Sequence, residues 1–275
     1  MPELPEVETV VSGLKKVIMG KRIKHVDELR AGTVINDLSV DKADLGVIRS
    51  ISRRGKYIRI ETDYDINILI HLRMTGRLFY GPIEAFKADH IRAIIRFTEG
   101  ENLYFDDIRT FGTIRIHKAG ESIPALLKLG PEPLSEDFNE KYLSRITRKR
   151  KAPIKNILLD QTVVAGLGNI YVSEILFRAG VVPTIPGEIL SVKALEGIVF
   201  NTKEIIREAI KLKGTTISDY AGVNGESGKF QSHLRIYGKK ICHCGAEIKK
   251  IKIGGRSSYY CPCCQKDIGG INDAN

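Results

Sequence analysis

The chain runs through three textures of apolar and polar positions. Val7, Val10, Val11, Leu14, Val17 and Ile18 recur at helical spacing, which predicts a helix from the first residues to about Gly20. Pro5 suits a first helical turn, where its missing N–H is not needed, and Glu6 and Glu8 offset the partial positive charge of that end. From there to about residue 118 the period falls to two. YIRIE (57–61), INILIHL (66–72), IRAIIRF (91–97) and TIRIH (113–117) are separated by the turn-like RRGK, GPIE and TEGEN. Short strands at this spacing predict a sandwich or barrel. A polar, proline-bearing link, PEPLSEDFNEKYL, then leads into the basic run RITRKRK (145–151).

From Pro153 the helical period returns, in PIKNILLDQ, the break VVAGLGN and IYVSEILFRAG. A third helix is expected from about Val192 to Leu212, stopping at Gly214 in a left-handed cap. Residues 214–230, rich in Gly, Ser and Thr, read as a mobile loop, and Ile236 to Ile268 as a hairpin. There is no internal repeat.

Composition narrows the class. At 275 residues and 43% hydrophobic, the chain has room for two folded domains. No run approaches a membrane span and no basic-then-apolar leader precedes the first helix, so a cytoplasmic protein is expected, with monomer as the default. The net charge of +10 points to a polyanionic partner, nucleic acid before membrane, against the bland reading of a solvated basic surface.

All five cysteines, Cys242, Cys244, Cys261, Cys263 and Cys264, fall in the tail. Such a cluster reads as a metal site rather than a disulfide framework. Cys261 and Cys264 have zinc-knuckle spacing, whereas CHCG separates Cys242 and Cys244 by one residue instead of two. Cys244, Cys261 and Cys264 are the expected ligands, with Cys242 as the fourth and His243 or Cys263 as substitutes. One structural zinc ion would supply much of the folding energy of so polar a hairpin.

VVAGLGNIY also has the outline of a dinucleotide-binding turn, with Glu188 twenty residues beyond Gly168. Tyr171 stands where the third glycine is required, and the segment upstream reads as helix, not strand. Two helices joined by a glycine-rich double turn, with Asn169 at the second N-terminus facing a phosphate, fit better.

Taken in order, these segments resemble the bacterial formamidopyrimidine-DNA glycosylase family, which removes oxidised purines from DNA. The resemblance is carried by PELPEVET, RRGKY at 53–57, HLRMTG at 71–76, Asp107-x-Arg109-x-Phe111-Gly112, LLDQTVVAGLGNIYVSE and the terminal cysteines. It implies an α+β, two-domain fold. An N-terminal β-sandwich with an N-terminal helix would span 1–130 and a linker 131–152. A helix–two-turn–helix DNA-binding domain would follow over 153–235, then a zinc-ribbon hairpin over 236–275, with damaged duplex DNA between the two domains.

The resemblance also implies roles. Pro2, freed by removal of Met1, would attack C1′ of the deoxyribose as a secondary amine, and Glu3 would act as general acid. Glu6 would support them or offset the helix dipole. Lys56 would contact DNA and assist elimination. Met74, Arg109 and Phe111 would fill the gap left by the flipped nucleotide. Lys155, Asn169 and Arg256 would bind phosphates, with His90 and Lys151 as further candidates and Arg256 also linked to the second elimination. The loop at 214–230 matches the lesion-recognition loop. The expected activity is glycosylase followed by β- and δ-elimination at the abasic site. The rivals are an endonuclease VIII-like enzyme for oxidised pyrimidines, which the PELPEVET start disfavours, and a zinc-dependent DNA-binding protein without catalysis.

Overall fold

The computed structural model describes residues 2–38, 44–85, 88–215 and 228–266. The lesion-recognition expectation for 214–230 therefore lies largely outside the described residues. The chain forms two compact units, Met1–Leu127 with Ile210–Gln231, and Lys128–Ala209 with Ser232–Asn275. The described residues 210–215 and 228–231 thus group with the first unit, although the sequence pattern grouped them with the helical region.

In the first unit, helix α1 (Leu4–Ile18) is followed by nine strands. These are β1 (Arg22–Glu28), β2 (Val34–Asn36), β3 (Gly46–Arg54), β4 (Tyr57–Thr62), β5 (Ile66–His71), β6 (Arg77–Gly81), β7 (Ile91–Phe97), β8 (Asn102–Asp106) and β9 (Thr113–Lys118). They run in the order β2-β9-β5-β4-β3-β1-β7-β8-β6. The two halves of the expected sandwich are joined where β1 meets β3 through only two residue pairs, Arg22 with Val47 and Ile23 with Gly46. Both halves turn their alternate residues onto one core. Ile58, Ile60, Ile68 and Ile70 from one half and Leu78, Ile95, Leu103 and Phe105 from the other are buried with Val7, Val10, Val11 and Leu14 of α1. The period-two runs of the sequence are this shared interior seen one strand at a time. Arg53 of β3 ties the outer face of α1 to the sheet through Glu8 at 2.7 Å.

A short helix, α2 (Pro124–Leu127), ends the first stretch of that unit. The second unit contains α3 (Glu140–Thr147), α4 (Ile154–Leu159), α5 (Asn169–Arg178), most of α6 (Val192–Lys211), and a hairpin of β10 (Lys249–Ile253) and β11 (Arg256–Tyr260). The stretch expected as a linker holds α3, which starts because Asn139 accepts the N–H of Tyr142 at 2.9 Å as an N-cap. The double turn between α4 and α5 is built by side chains. Asp160 accepts the N–H and hydroxyl of Thr162 at 2.9 and 2.7 Å. Gln161 donates to the carbonyls of Leu159 and Leu167 and accepts the N–H of Gly166. These bonds replace a backbone ladder across the break, so DQTVVAGLGN folds as a compact corner. Among the described residues, no helix is long and apolar enough to cross a membrane.

Candidate active site and zinc ribbon

Pro2 and Glu3 are both buried, although they precede the first helix. Glu3 is the N-cap of α1, and its backbone N–H donates to Glu6 Oε2 at 2.9 Å while its side chain accepts from the N–H of Glu6. This reciprocal capping box fixes the approach to the helix. The other oxygen of Glu6 accepts from Thr215, through the backbone N–H at 2.7 Å and the hydroxyl at 3.0 Å. Thr215 follows Gly214, whose φ of +75° forms the left-handed cap expected at the end of the third helix. The Glu6 carboxylate therefore joins the residues next to Pro2 to the chain that re-enters the first unit.

Lys56 sits in the tight turn between β3 and β4, after Gly55 at φ +57°, and is partly exposed. His71, at the end of the neighbouring β5, was quoted within HLRMTG but not singled out by sequence. Its Nδ1 accepts the N–H of Arg73 at 2.9 Å and its ring meets Tyr57 edge-on at 4.5 Å. Burial, with the charges of Arg73 and Lys56, pushes this imidazole down to about 3. It is neutral at physiological pH, and since Nδ1 accepts, Nε2 carries the proton. The sequence signal was available: a histidine closing an apolar strand, two residues before Arg73.

Met74, Arg109 and Phe111 come together. Arg109 Nη1 lies 3.4 Å from the sulfur of Met74, and its guanidinium carbon lies 5.7 Å from the Phe111 ring centroid. Met74 is 41% and Phe111 55% exposed, so neither is a core residue. His90 is part of the support behind them: its N–H donates to Asp106 and its carbonyl accepts the N–H of Asp107.

In the second unit the phosphate candidates divide. Lys155 is fully buried, and its ammonium donates to Ser257 O at 3.0 Å and Ser258 Oγ at 2.6 Å. The sequence expected it at a phosphate; the structure uses it to hold β11 against α4. Asn169, the first residue of α5, donates to the same Ser257 carbonyl at 3.0 Å. Its Oδ1 is buried with no hydrogen-bond partner among the described residues. Arg256, next to Ser257, is exposed, as is Lys151. The basic run contributes Arg145, Arg148 and Lys149, with Lys141, to a cleft of about 590 Å³ beside Val192.

The ribbon brings Cys242, Cys244, Cys261 and Cys264 together, with all four sulfurs within 4.8 Å of one another. Cys242 lies 3.8 Å from Cys264 and Cys244 3.6 Å from Cys261. A zinc–thiolate bond of about 2.3 Å sets the edge of a tetrahedron at roughly 3.8 Å, so the sulfurs fit zinc. The shortened knuckle succeeds because Gly245 turns at φ +86° and the N–H of Cys242 reaches the carbonyl of Ala246. A hydrogen bond from the backbone of Ala246 brings the Cys244 thiol down to about 6, which favours the thiolate that zinc requires. His243 instead packs edge-on against Phe177, and Cys263 is exposed. Sequence also passed over Glu174, fully buried on α5, whose carboxylate accepts the backbone N–H groups of Arg235, Ile236 and Tyr237 at 2.8–3.0 Å. It anchors the segment that leads into the ribbon.

Three family descriptions match the chain. They are the formamidopyrimidine-DNA glycosylase N-terminal domain over residues 1–114, the formamidopyrimidine-DNA glycosylase H2TH domain over 129–221, and the zinc finger found in FPG and IleRS over 243–266. The formamidopyrimidine-DNA glycosylase of Oceanobacillus iheyensis is 40% identical, over 98% of this chain and 100% of its own length. That of Streptococcus pneumoniae is 39% identical, over 97% and 99%. Among solved structures, a mutant Lactococcus lactis FPG bound to a Fapy-dG containing DNA superposes with a TM-score of 0.89 at 38% identity, covering 97% of this chain and all of that one. The wild-type Lactococcus lactis FPG with an oxidized pyrimidine containing DNA gives 0.87 at the same identity and coverage. The chain belongs to the formamidopyrimidine-DNA glycosylase family: it is a DNA glycosylase of base excision repair, with that family's abasic-site lyase activity and a structural zinc site.

Proposed function

We propose that this enzyme acts as a cytoplasmic monomer on damaged duplex DNA, excising 8-oxoguanine and formamidopyrimidines through the secondary amine of Pro2. The observation that carries this reading is the buried Pro2–Glu3 pair at the start of α1, held by the Glu6 carboxylate. With Met1 removed, the Pro2 nitrogen is an amine rather than an amide. Its intrinsic pKa is about 7.7–8.0, and the positive end of α1 disfavours its ammonium form. Attack on C1′ breaks the glycosidic bond and the base leaves; Glu3 protonates the sugar or the base as the bond breaks. Once the nitrogen has lost its proton, the C1′–O4′ bond breaks as O4′ is protonated, the sugar ring opens to an iminium, and this cation acidifies the proton on C2′. Its loss expels the 3′ phosphate, and a second elimination expels the 5′ phosphate.

Lys56 assists elimination on the first unit. Met74, Arg109 and Phe111 take the space of the flipped nucleotide. Asn169, Arg256, His90 and Lys151 meet the DNA backbone, which makes affinity salt-dependent and indifferent to sequence. Lys155 acts behind them, since it fixes the Ser257 carbonyl between Asn169 and Arg256. The zinc ion, held by the four cysteines, keeps β10 and β11 folded and takes no part in the chemistry.

The test is borohydride trapping on a duplex with one 8-oxoguanine, followed by peptide mapping. An adduct on Pro2 of Met1-free protein is expected. Binding without an adduct would leave no role for the amine. A parallel duplex with an oxidised pyrimidine tests the second substrate class, which the Lactococcus lactis complex brings forward; faster excision there would reverse the assignment.

A further inference from the structure

We propose that Asp107 is a positioning residue that assembles Met74, Arg109 and Phe111 into a rigid wedge before DNA arrives. The inference rests on the reading of those three residues as the wedge. Asp107 is fully buried and touches none of the reacting groups described above. Its carboxylate joins two separate turns. Oδ1 accepts the hydroxyl of Thr75 at 2.5 Å and the N–H of Arg109 at 3.2 Å, and Oδ2 accepts the N–H of Gly112 at 2.7 Å. Thr75 in turn accepts from the same Arg109 N–H at 3.2 Å.

The two turns are built alike. In each, the apolar wedge residue is preceded by a non-glycine residue in the left-handed region, Arg73 at φ +53° before Met74 and Thr110 at φ +57° before Phe111. A β-branched residue such as Thr110 is an outlier there, and such a backbone persists only where its surroundings over-determine it. The surroundings here are the Asp107 carboxylate, the Gly76 N–H closing onto Leu72 O at 2.9 Å, and the packing at Gly112. A Cβ on Gly112 would lie 2.3 Å from Phe105 and 3.2 Å from Asp107 Oδ2, so only glycine lets this turn close over the acid. Side chains held this way lose little freedom when they enter the duplex, and the ordering cost falls on folding rather than on nucleotide flipping.

Asp107→Asn preserves shape but turns one acceptor into a donor facing an N–H or O–H. Thr75→Val removes only the hydroxyl and frees the first turn. Two substrates separate positioning from general damage: a duplex carrying 8-oxoguanine, which requires flipping, and a single-stranded abasic oligonucleotide, which does not. For both variants we expect duplex excision in single turnover to fall, by about tenfold for D107N and less for T75V, while single-strand cleavage stays within about twofold. Fluorescence of 2-aminopurine beside the lesion should rise more slowly in step with excision.

Equal losses on both substrates, or unchanged duplex excision, would overturn the proposal. If D107N does not fold, T75V alone decides it by the same criteria. Met74→Ala and Phe111→Ala run alongside. If they slow duplex excision while D107N and T75V do not, the wedge stands and the role of Asp107 falls. If they too have no effect, the wedge reading itself falls and Asp107 has nothing to position.

Discussion

Glu6 receives two hydrogen bonds from Thr215 on one carboxylate oxygen, at 2.7 Å from the backbone and 3.0 Å from the hydroxyl, while its other oxygen holds the N–H of Glu3. These three donors converge on one buried acid, so Glu6→Gln must present an amide N–H to at least one of them. We expect a loss of about 2 kcal/mol in urea unfolding, because a buried donor is left unpaired. Single-turnover excision should fall as well, whereas Thr215→Val, which keeps the backbone bond, should cost about 1 kcal/mol.

Chelation or Cys244→Ser should release about one zinc per chain and unfold the hairpin of β10 and β11. Lys155 reports the event. Its ammonium is buried against Ser257 and Ser258 of β11, so an amine-modifying reagent should label it only after metal loss. Labelling at equal rates with and without zinc would show that the hairpin holds without its metal.

Glu174→Gln tests the other anchor of the ribbon. A carboxylate that accepts three backbone N–H groups becomes an amide with one acceptor oxygen. The expected cost is about 2–3 kcal/mol in equilibrium unfolding, with faster amide exchange at Arg235, Ile236 and Tyr237.

His71 makes stability depend on acid. Its folded value of about 3 lies below the ordinary value of 6.5, so the unfolded chain binds a proton first as pH falls. Its contribution is intact above 6.5 and is lost progressively from there down to about 3, by at most about 1.4 kcal/mol per pH unit. Urea unfolding at pH 7.5 and 5.5 should show a smaller difference for His71→Gln than for the natural chain.

The fold was legible where burial repeats with a period. The four strand runs and the helix of Val7 to Ile18 carry their partners in their own pattern, and the cysteine spacing located the ribbon despite the shortened knuckle. What periodicity could not carry was the identity of hydrogen-bond partners distant in sequence. Lys155 looked like any basic residue near a phosphate site until Ser257, a hundred residues on, took its ammonium. Asp107 was read as one letter of a motif, because the turns it joins, at Thr75 and Gly112, are separated by β6, β7 and β8. The helix in the proline-bearing link escaped for a local reason: its start depends on the Asn139 cap rather than on a long apolar stripe.

The first unit is discontinuous in the chain, since 210–215 and 228–231 group with what 1–127 begin. On a ribosome adding about 5–20 residues per second, the strands emerge several seconds before Thr215 does. During that interval Glu6 lacks the donors of its Oε1, and the start of α1 waits with half its carboxylate unanswered. A nascent chain arrested before residue 210 would therefore contain β1 to β9 and still lack the Thr215 bonds to Glu6. Synthesis itself orders the events: the buried acid at the start of α1 gains its Thr215 bonds only after most of the helical unit has been made.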